Sequence, residues 1–502
     1  MRSGDRPNIL LLTTDQQRWD TLGCYGATGV HTPNLDRLAS EGTRFDRCYV
    51  SNPVCTPSRA GLWTGKHLPC HGVYRVHDRL ADDEILFAHR LTETGYDTAL
   101  IGKLHVSGHM HEAKGRHPHD GFRVYEWTPD PHGYTGVETA YLDWLDDRFA
   151  EIRAQFRERG RHIGHLPIEA HMTTWAAERT VAYLTRERRT DRPFFCCMSV
   201  FDPHDPYGNY PERMRCLLDE SKLPGVVAGD EPFDRRPAPH LHEREKCALT
   251  DMRTLTPERL HEWRVGYHAA IALIDMQIGR VLDALTRAGL AENTLVIFAS
   301  DHGDILGDHG LLTKGCFFYD PCTRVPLILR EPGGRPGRAV SALCQPNDIA
   351  ATVLRAAGFS NEQVGAWMPD SRDLRDEQAL AERGYAACLY RNTGIGVERD
   401  SGRRGYFDPP LHGTMWREGR YKLNVYHSPP PTGDHAPGEL FDMQTDALEM
   451  HNLWTDPAHC KMRDALLLKM TNWLAVQDAR ARAQSNDGVP ASPRYQGRTQ
   501  GE

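Results

Sequence analysis

Residues 260–304, LHEWRVGYHAAIALIDMQIGRVLDALTRAGLAENTLVIFASDHGD, are the stretch from which the fold follows. Within 260–290 the apolar residues Ile271, Ile274, Ile278, Val281, Leu282 and Leu285 return at three- and four-residue steps, and Gly289 closes the pattern. That spacing predicts an amphipathic helix with a glycine stop. TLVIFAS (294–300) then runs apolar without alternation, as a strand covered on both faces does. The unit ends on Asp301-His302-Gly303, which puts an acid and an imidazole at the carboxyl end of a strand.

Four further runs have the same character: NILLLTT (8–14), YDTALIG (96–102), PFFCCMSVF (193–201) and VPLILR (325–330). Buried strands alternating with helices predict a layered α/β fold, built on a mostly parallel central sheet with helices on both faces. At 502 residues the chain exceeds one comfortable core, so two unequal domains are expected. A composition shift near 360–380 divides a catalytic α/β domain (1–375) from a C-terminal α+β subdomain (376–483). In the latter, GTMWREGRYKLNVYH and GELFDMQTD read as antiparallel strands, followed by a helix near 457–483. Residues 484–502 lack apolar content and read as a mobile tail that could reach a neighbouring subunit of a homo-oligomer. Two polar stretches, 105–170 and 204–246, read as long loops that wall a substrate site.

The net charge of −8 argues against nucleic-acid binding, which needs a basic stripe. No run approaches membrane-spanning length, and the apolar run near the N-terminus is too short for a secretory leader. Thirteen cysteines, odd in number and irregular in spacing, read as reduced thiols in a cytoplasmic protein.

In open α/β sheets, ligands bind beyond the carboxyl ends of the strands. There the chain places Asp15-Gln16, Lys103 and His105, Asp202-Pro-His204-Asp205, and Asp301-His302, with Lys314 ahead of the last run. Asp15, Gln16, Asp301 and His302 are the donors a divalent cation such as Ca²⁺, Mg²⁺ or Mn²⁺ takes, and the histidine leans toward Mn²⁺. Alone, Asp15 would be a helix cap after a strand. Arg59, Lys103 and Lys314 suit an anionic tetrahedral group, and His105 or His204 could protonate a leaving oxygen. In NPVCTPSRAGLWTGKH (52–67), Pro57 fits a first helical turn and so sets Cys55 at a helix N-terminus. Free N–H groups there attract anions and lower a thiol pKa, which makes Cys55 a candidate nucleophile. The commoner fate of a free cysteine is a small buried hydrophobe, against which the polar surroundings SNPVCTPSR argue.

CTPSRAGLWTG resembles the Cys-x-Pro-Ser-Arg signature of the type I sulfatases, in the alkaline phosphatase superfamily. The likeness extends through NILLLTTDQQRWDTLGCYG, GYDTALIGKLH, DPHDPY and SDHGDILGDHGLLTKGCFFYDPCTRVPLI, and covers most of residues 7–455. It implies an alkaline phosphatase-like fold and a formylglycine made from Cys55 by a maturation enzyme. It also implies one divalent metal (Ca²⁺ or Mn²⁺) on Asp15, Gln16, Asp301 and His302, with residue 55 completing the shell once oxidised. By the same resemblance Arg59, Lys103 and Lys314 orient the nucleophile and hold the anion. His105 and His204 flank it, and one of them assists the leaving group.

Many sulfatases have a second aspartate where Gln16 stands and an asparagine where His302 stands; these two also resemble the phosphonate monoester hydrolases, which share the nucleophile. In HGVYRVHD (71–78), Arg75 and His77 replace an expected asparagine and are candidate substrate-binding residues. The expected activity is hydrolysis of a small anionic ester, a sulfate monoester first and a phosphonate monoester or phosphodiester second. An inactive metal- or anion-binding module would have lost the nucleophile, an acid or a base, and all are present. The stretch HVSGHMHEAKGRHPHDG (105–121) lacks regular ligand spacing and reads as a mobile loop over the pocket, not a second metal site.

Overall fold

A computed structural model of the protein describes residues 6–131, 137–160, 163–229, 232–233, 235–394, 396–398, 403–427 and 437–481. The expected tail, 484–502, lies outside the described residues. The large sheet has eight strands: β1 (Asn8–Thr14), β2 (Thr43–Phe45), β3 (Asp97–Gly102), β4 (Val124–Trp127), β5 (Phe194–Ser199), β6 (Thr294–Ser300), β7 (Leu327–Arg330) and β8 (Arg338–Val340). Their order is β8-β2-β7-β6-β1-β5-β3-β4. Pairing is parallel except on the two sides of β7, which runs antiparallel to both β6 and β2. VPLILR was expected to join a parallel sheet, but a strand buried on both faces reads the same in either direction.

Alternation through β1 shows the layering. Ile9 and Leu11 pack into one apolar cluster, while Leu10 and Leu12 pack into another on the opposite face. Cys196 and Cys197 divide between the same two clusters, which makes them core residues of opposite faces. One face is covered by helix α1 (Cys55–Thr64), with Trp63 stacked on Phe87 at 4.7 Å. The other face carries helix α2 (Pro257–Arg287), capped at its start by the Thr256 side chain and followed by Gly289 at φ 69°. A four-stranded antiparallel sheet follows, β9 (Tyr385–Arg391), β10 (His412–Glu418), β11 (Tyr421–His427) and β12 (Gly438–Asp442), and then helix α3 (Cys460–Ala479). Leu389 N donates to Ser51 O, and Lys422 Nζ to Asp320 Oδ1 at 2.8 Å, tying this sheet to the segments just ahead of α1 and of β7. Among the described residues no helix is long and apolar enough to cross a membrane.

The stretches expected as long loops hold regular structure. Residues 105–170 contain the edge strand β4 and two helices, Ala140–Arg148 and Ala150–Arg159, and residues 204–246 contain a helix at Ala238–Lys246. The expected mobile loop at 105–121 is instead pinned by a buried carboxylate. Glu112 accepts the backbone N–H groups of His105, Val106 and Ser107 and the indole N–H of Trp127.

Several core histidines are buried neutral, and this sets an acid limit on stability. Burial pushes His71 and His240 down to about 3 and His268 down to about 4. Unfolded, each takes its proton near pH 6.5, so their contribution is complete above that pH and is lost as pH falls toward 4. The denaturant midpoint should therefore fall between pH 7.5 and 5. His268→Gln, which can still donate to Arg264 O, should flatten the fall by up to about 1.4 kcal/mol per pH unit. A midpoint that rises on acidification would contradict this.

Candidate active site

Strand register builds the site. Thr14 pairs with Ser300, Thr13 with Ser199, and Gly102 with Ser199, so Asp301, Asp15 and Lys103 leave neighbouring strands at one level. Strands lie about 4.8 Å apart, which brings these side chains within reach of one another. The backbone continues the ladder: Asp301 N donates to Thr14 O and Lys103 N to Ser199 O. Gly102 has φ 109°, and a Cβ there would lie 1.9 Å from Ser199 O; only glycine lets the chain turn tightly enough to aim Lys103 inward. Gln16 (φ 70°) and His105 (φ 58°) also hold left-handed backbone, an uncommon state for such residues that marks a constrained site.

Cys55 is the first residue of α1, with Pro57 in the first turn. Arg59 lies one turn on, on the same helix face. The helix docks through Ser58 Oγ, which donates to Asp301 O at 2.6 Å, and Arg59 Nε, which donates to Asp301 Oδ2 at 2.6 Å. Arg59 Nη1 reaches Lys103 O and Ser199 Oγ, and Nη2 lies 3.6 Å from Asp15 Oδ2. Lys103 Nζ donates to Asp15 Oδ2 at 2.5 Å. Lys314 Nζ bridges Gln16 Oε1 at 2.6 Å and His204 Nε2 at 2.7 Å, while Gln16 Nε2 donates to Asp304 Oδ2.

Among the buried atoms without a hydrogen-bond partner, Asp15 Oδ1 and His302 Nε2 face each other at 3.6 Å. Asp301 Oδ1 lies 3.8 Å from the same nitrogen. His302 Nδ1 is held by Gly303 O at 2.9 Å, which leaves Nε2 as the lone-pair nitrogen. Asp15, Asp301 and His302 form a group whose ligand atoms lie within 4.8 Å of one another, and the His-rich stretch forms no such group among the described residues. An orphaned carboxylate oxygen facing an orphaned imidazole nitrogen fits a dication.

The charges support one another. Burial opposes ionisation of Asp15, but the charges of Lys103, Arg59 and Lys314 outweigh it and hold the carboxyl well below its usual range. Lys314 is held above its ordinary value: burial works against its charge, and Cys55, Asp15, Asp205 and Asp301 more than offset it. Burial and then Lys314 push His204 down to about 3, and burial pushes His302 to about 4. His204 Nδ1 meets Asp205 O at 2.7 Å, so the ring is neutral and its Nε2 accepts from Lys314.

A cavity of about 210 Å³ opens over this array and is lined by Cys55, His77, Lys103, His105, His204 and Lys314. Of the two residues expected to shape the pocket, His77 lines it and Arg75 does not. Arg75 pairs with Asp78 at 3.0 Å and lines a second cavity. Sequence reasoning missed His109, whose ring lies 4.3 Å from that of His105 and whose Nε2 is buried without a partner. It also missed Asp130 and Glu243 on the cavity wall and Asp304 behind Gln16. Only Asp304 had a signal, as the third chemical group of SDHGD.

The sulfatase family model matches residues 7–359. The chain is 31% identical over 471 residues to the uncharacterized sulfatase YidJ of Escherichia coli (strain K12), covering 92% of this chain and 86% of that one. It is 30% identical to an arylsulfatase of Clostridium perfringens, over 76% of this chain and 80% of that one. The phosphonate monoester hydrolase of Agrobacterium radiobacter shares the fold, with a TM-score of 0.75 at 24% identity, covering 94% of this chain and 96% of that one. The chain belongs to the sulfatase family of hydrolases.

Proposed function

We propose that the protein hydrolyses a sulfate monoester to an alcohol and inorganic sulfate, using a formylglycine made from Cys55 and one divalent cation. The observation that carries this reading is the unpartnered pair Asp15 Oδ1 and His302 Nε2, set among three buried cations at the end of the helix that Cys55 begins. Asp15, Asp301 and His302 would hold the cation, with Gln16 Oε1 and the oxidised residue 55 as further ligands; oxygen donors with one nitrogen suit Ca²⁺ or Mn²⁺. The cation supplies Lewis acidity that eases deprotonation of a hydroxyl bound to it. The aldehyde hydrate supplies two hydroxyls, one to attack sulfur as the alkoxide departs and one to expel sulfate by reforming the carbonyl.

The remaining steps belong to this chain's own side chains. Arg59 and Lys103 are fixed by Asp301 and Asp15, so they stabilise charge growing on the sulfuryl oxygens without reorganising. The departing oxygen takes its proton from the Lys314–His204 pair on the cavity wall, in which the Lys314 ammonium carries the proton and donates to His204 Nε2 at 2.7 Å. His105 Nε2 is engaged by Thr56 Oγ1 at 2.9 Å and is better placed to steady the wall than to donate. A maturation enzyme is the implied partner. Thirteen free cysteines support a cytoplasmic location.

Gln16 and His302 favour a second reading, in which a phosphonate monoester or phosphodiester is cleaved by the same groups. The deciding experiment compares 4-nitrophenyl sulfate, a 4-nitrophenyl phosphonate monoester and a 4-nitrophenyl phosphodiester. Sulfate should have the highest kcat/KM. A phosphorus ester ahead by tenfold, about 1.4 kcal/mol in barrier, would replace the first reading with the second.

A further inference from the structure

The larger of the two cavities reached by residues 74–77 is not the catalytic one. Val76 and His77 line the 210 Å³ pocket over Cys55, whereas Tyr74 and Arg75 line a cavity of about 580 Å³ on the other side of the same segment. The rest of its wall includes Arg391 at the end of β9, the cross-strand pair His412 and His427, and Asp478 of α3. Its size is typical of a small-molecule site.

Arg391 gives the cavity its chemistry. Its Nη1 donates to Tyr390 O at 2.8 Å and Gly413 O at 2.9 Å, which clamps one side of the guanidinium. Nε and Nη2 have no acceptor among the described residues, and no carboxylate there forms an ion pair with Arg391. Burial pushes this guanidinium down to about 10, the mark of a cation short of a negative neighbour. Burial likewise holds His412 and His427 down to about 4, and His427 Nε2 is anchored by Thr414 Oγ1. Arg75 keeps the rest of its fork beyond the Nε bond to Asp78. Among the described residues the one carboxylate on the wall is Asp478, and it is exposed. A free guanidinium edge matches a carboxylate or sulfate in bidentate geometry.

We propose that this cavity is a second anion-binding site, which takes a small carboxylate or sulfate on the free edge of Arg391. The assignment does not rest on the sulfate-ester reading. Binding of D-glucuronate to the full-length protein should be measured by calorimetry, with D-glucose as the neutral control. Glucuronate should bind at least about tenfold more tightly than glucose, and Arg391→Gln should remove that advantage, as expected for a lost charged hydrogen bond. Asp478→Asn should instead tighten glucuronate binding by about twofold or more, a gain that misfolding cannot produce. Equal binding of glucuronate and glucose, or binding indifferent to Arg391, would overturn the site. If no sulfate ester turns over, the sulfate reading fails while the titration still decides the cavity.

Discussion

Cys55→Ala should remove sulfate ester turnover, lowering kcat/KM by roughly 10⁴ or more, while the chain stays folded. The residue is small and 4% exposed, so loss of its sulfur costs about 1 kcal/mol in packing, too little to unfold a protein of this size. Its position explains the large kinetic effect. As first residue of α1 it sits where unsatisfied backbone N–H groups and the helix dipole favour developing negative charge. The helix is fixed on Asp301 by Ser58 and Arg59, so a nucleophile at position 55 is held against the acid cluster without a mobile loop. Cys55→Ser separates nucleophilic attack from regeneration. A serine oxygen can attack sulfur but cannot expel sulfate by reforming an aldehyde, so it should give a burst of one alcohol per chain and then stall. Peptide mass analysis of active wild-type protein should find the sulfur gone from residue 55. An intact thiol there in fully active material would defeat the formylglycine reading.

Legibility from sequence followed physical determinism. Asp15, Lys103, Asp301 and His302 group together on sequence alone because parallel strands in register must deliver whatever follows them to one edge. Cys55 and Arg59 join them because a proline in a first turn fixes where a helix starts, and four residues make one turn. The direction of β7 was not legible, since burial on both faces erases the alternation that would distinguish an edge environment. The strand and helices inside 105–170 were hidden by polar composition: β4 sits at the sheet's edge and its first three residues are only half-buried. His109 could not be separated from its neighbours, because what buries it is a turn organised by Glu112, and a carboxylate collecting backbone N–H groups leaves no periodic trace. Arg75 went to the wrong cavity for a similar reason. Its partner Asp78, three residues on, takes the Tyr74 and Arg75 backbone N–H groups and the Arg75 Nε, folding the segment so that consecutive pairs face opposite ways.

Asp301→Asn should be the most damaging isosteric change in the site, because one carboxylate serves both the architecture and the metal cluster. Its Oδ2 neutralises Arg59 Nε, and its Oδ1 accepts the backbone N–H groups of Gln16 at 3.0 Å and His302 at 2.8 Å. Removing the charge leaves Arg59 buried against Asp15 alone, at 3.6 Å, and breaking such a buried pair typically costs about 3–5 kcal/mol. The same change strips the negative charge from one of three donors of the only such group among the described residues, leaving a weaker carbonyl ligand, so metal content should fall well below one per chain. Chelation separates the two losses. Wild-type protein stripped of metal should lose activity and recover it when Mn²⁺ or Ca²⁺ is returned, whereas Asp301→Asn should not recover. Asp304→Asn makes the comparison. Burial raises the Asp304 carboxyl to about 6, and its partners are Gln16 Nε2 and the Tyr207 hydroxyl rather than an arginine, so neutralising it should cost less stability and leave the metal in place. One tightly held metal per chain in Asp301→Asn, or full activity in chelated wild-type protein, would break the link drawn between this cluster and catalysis.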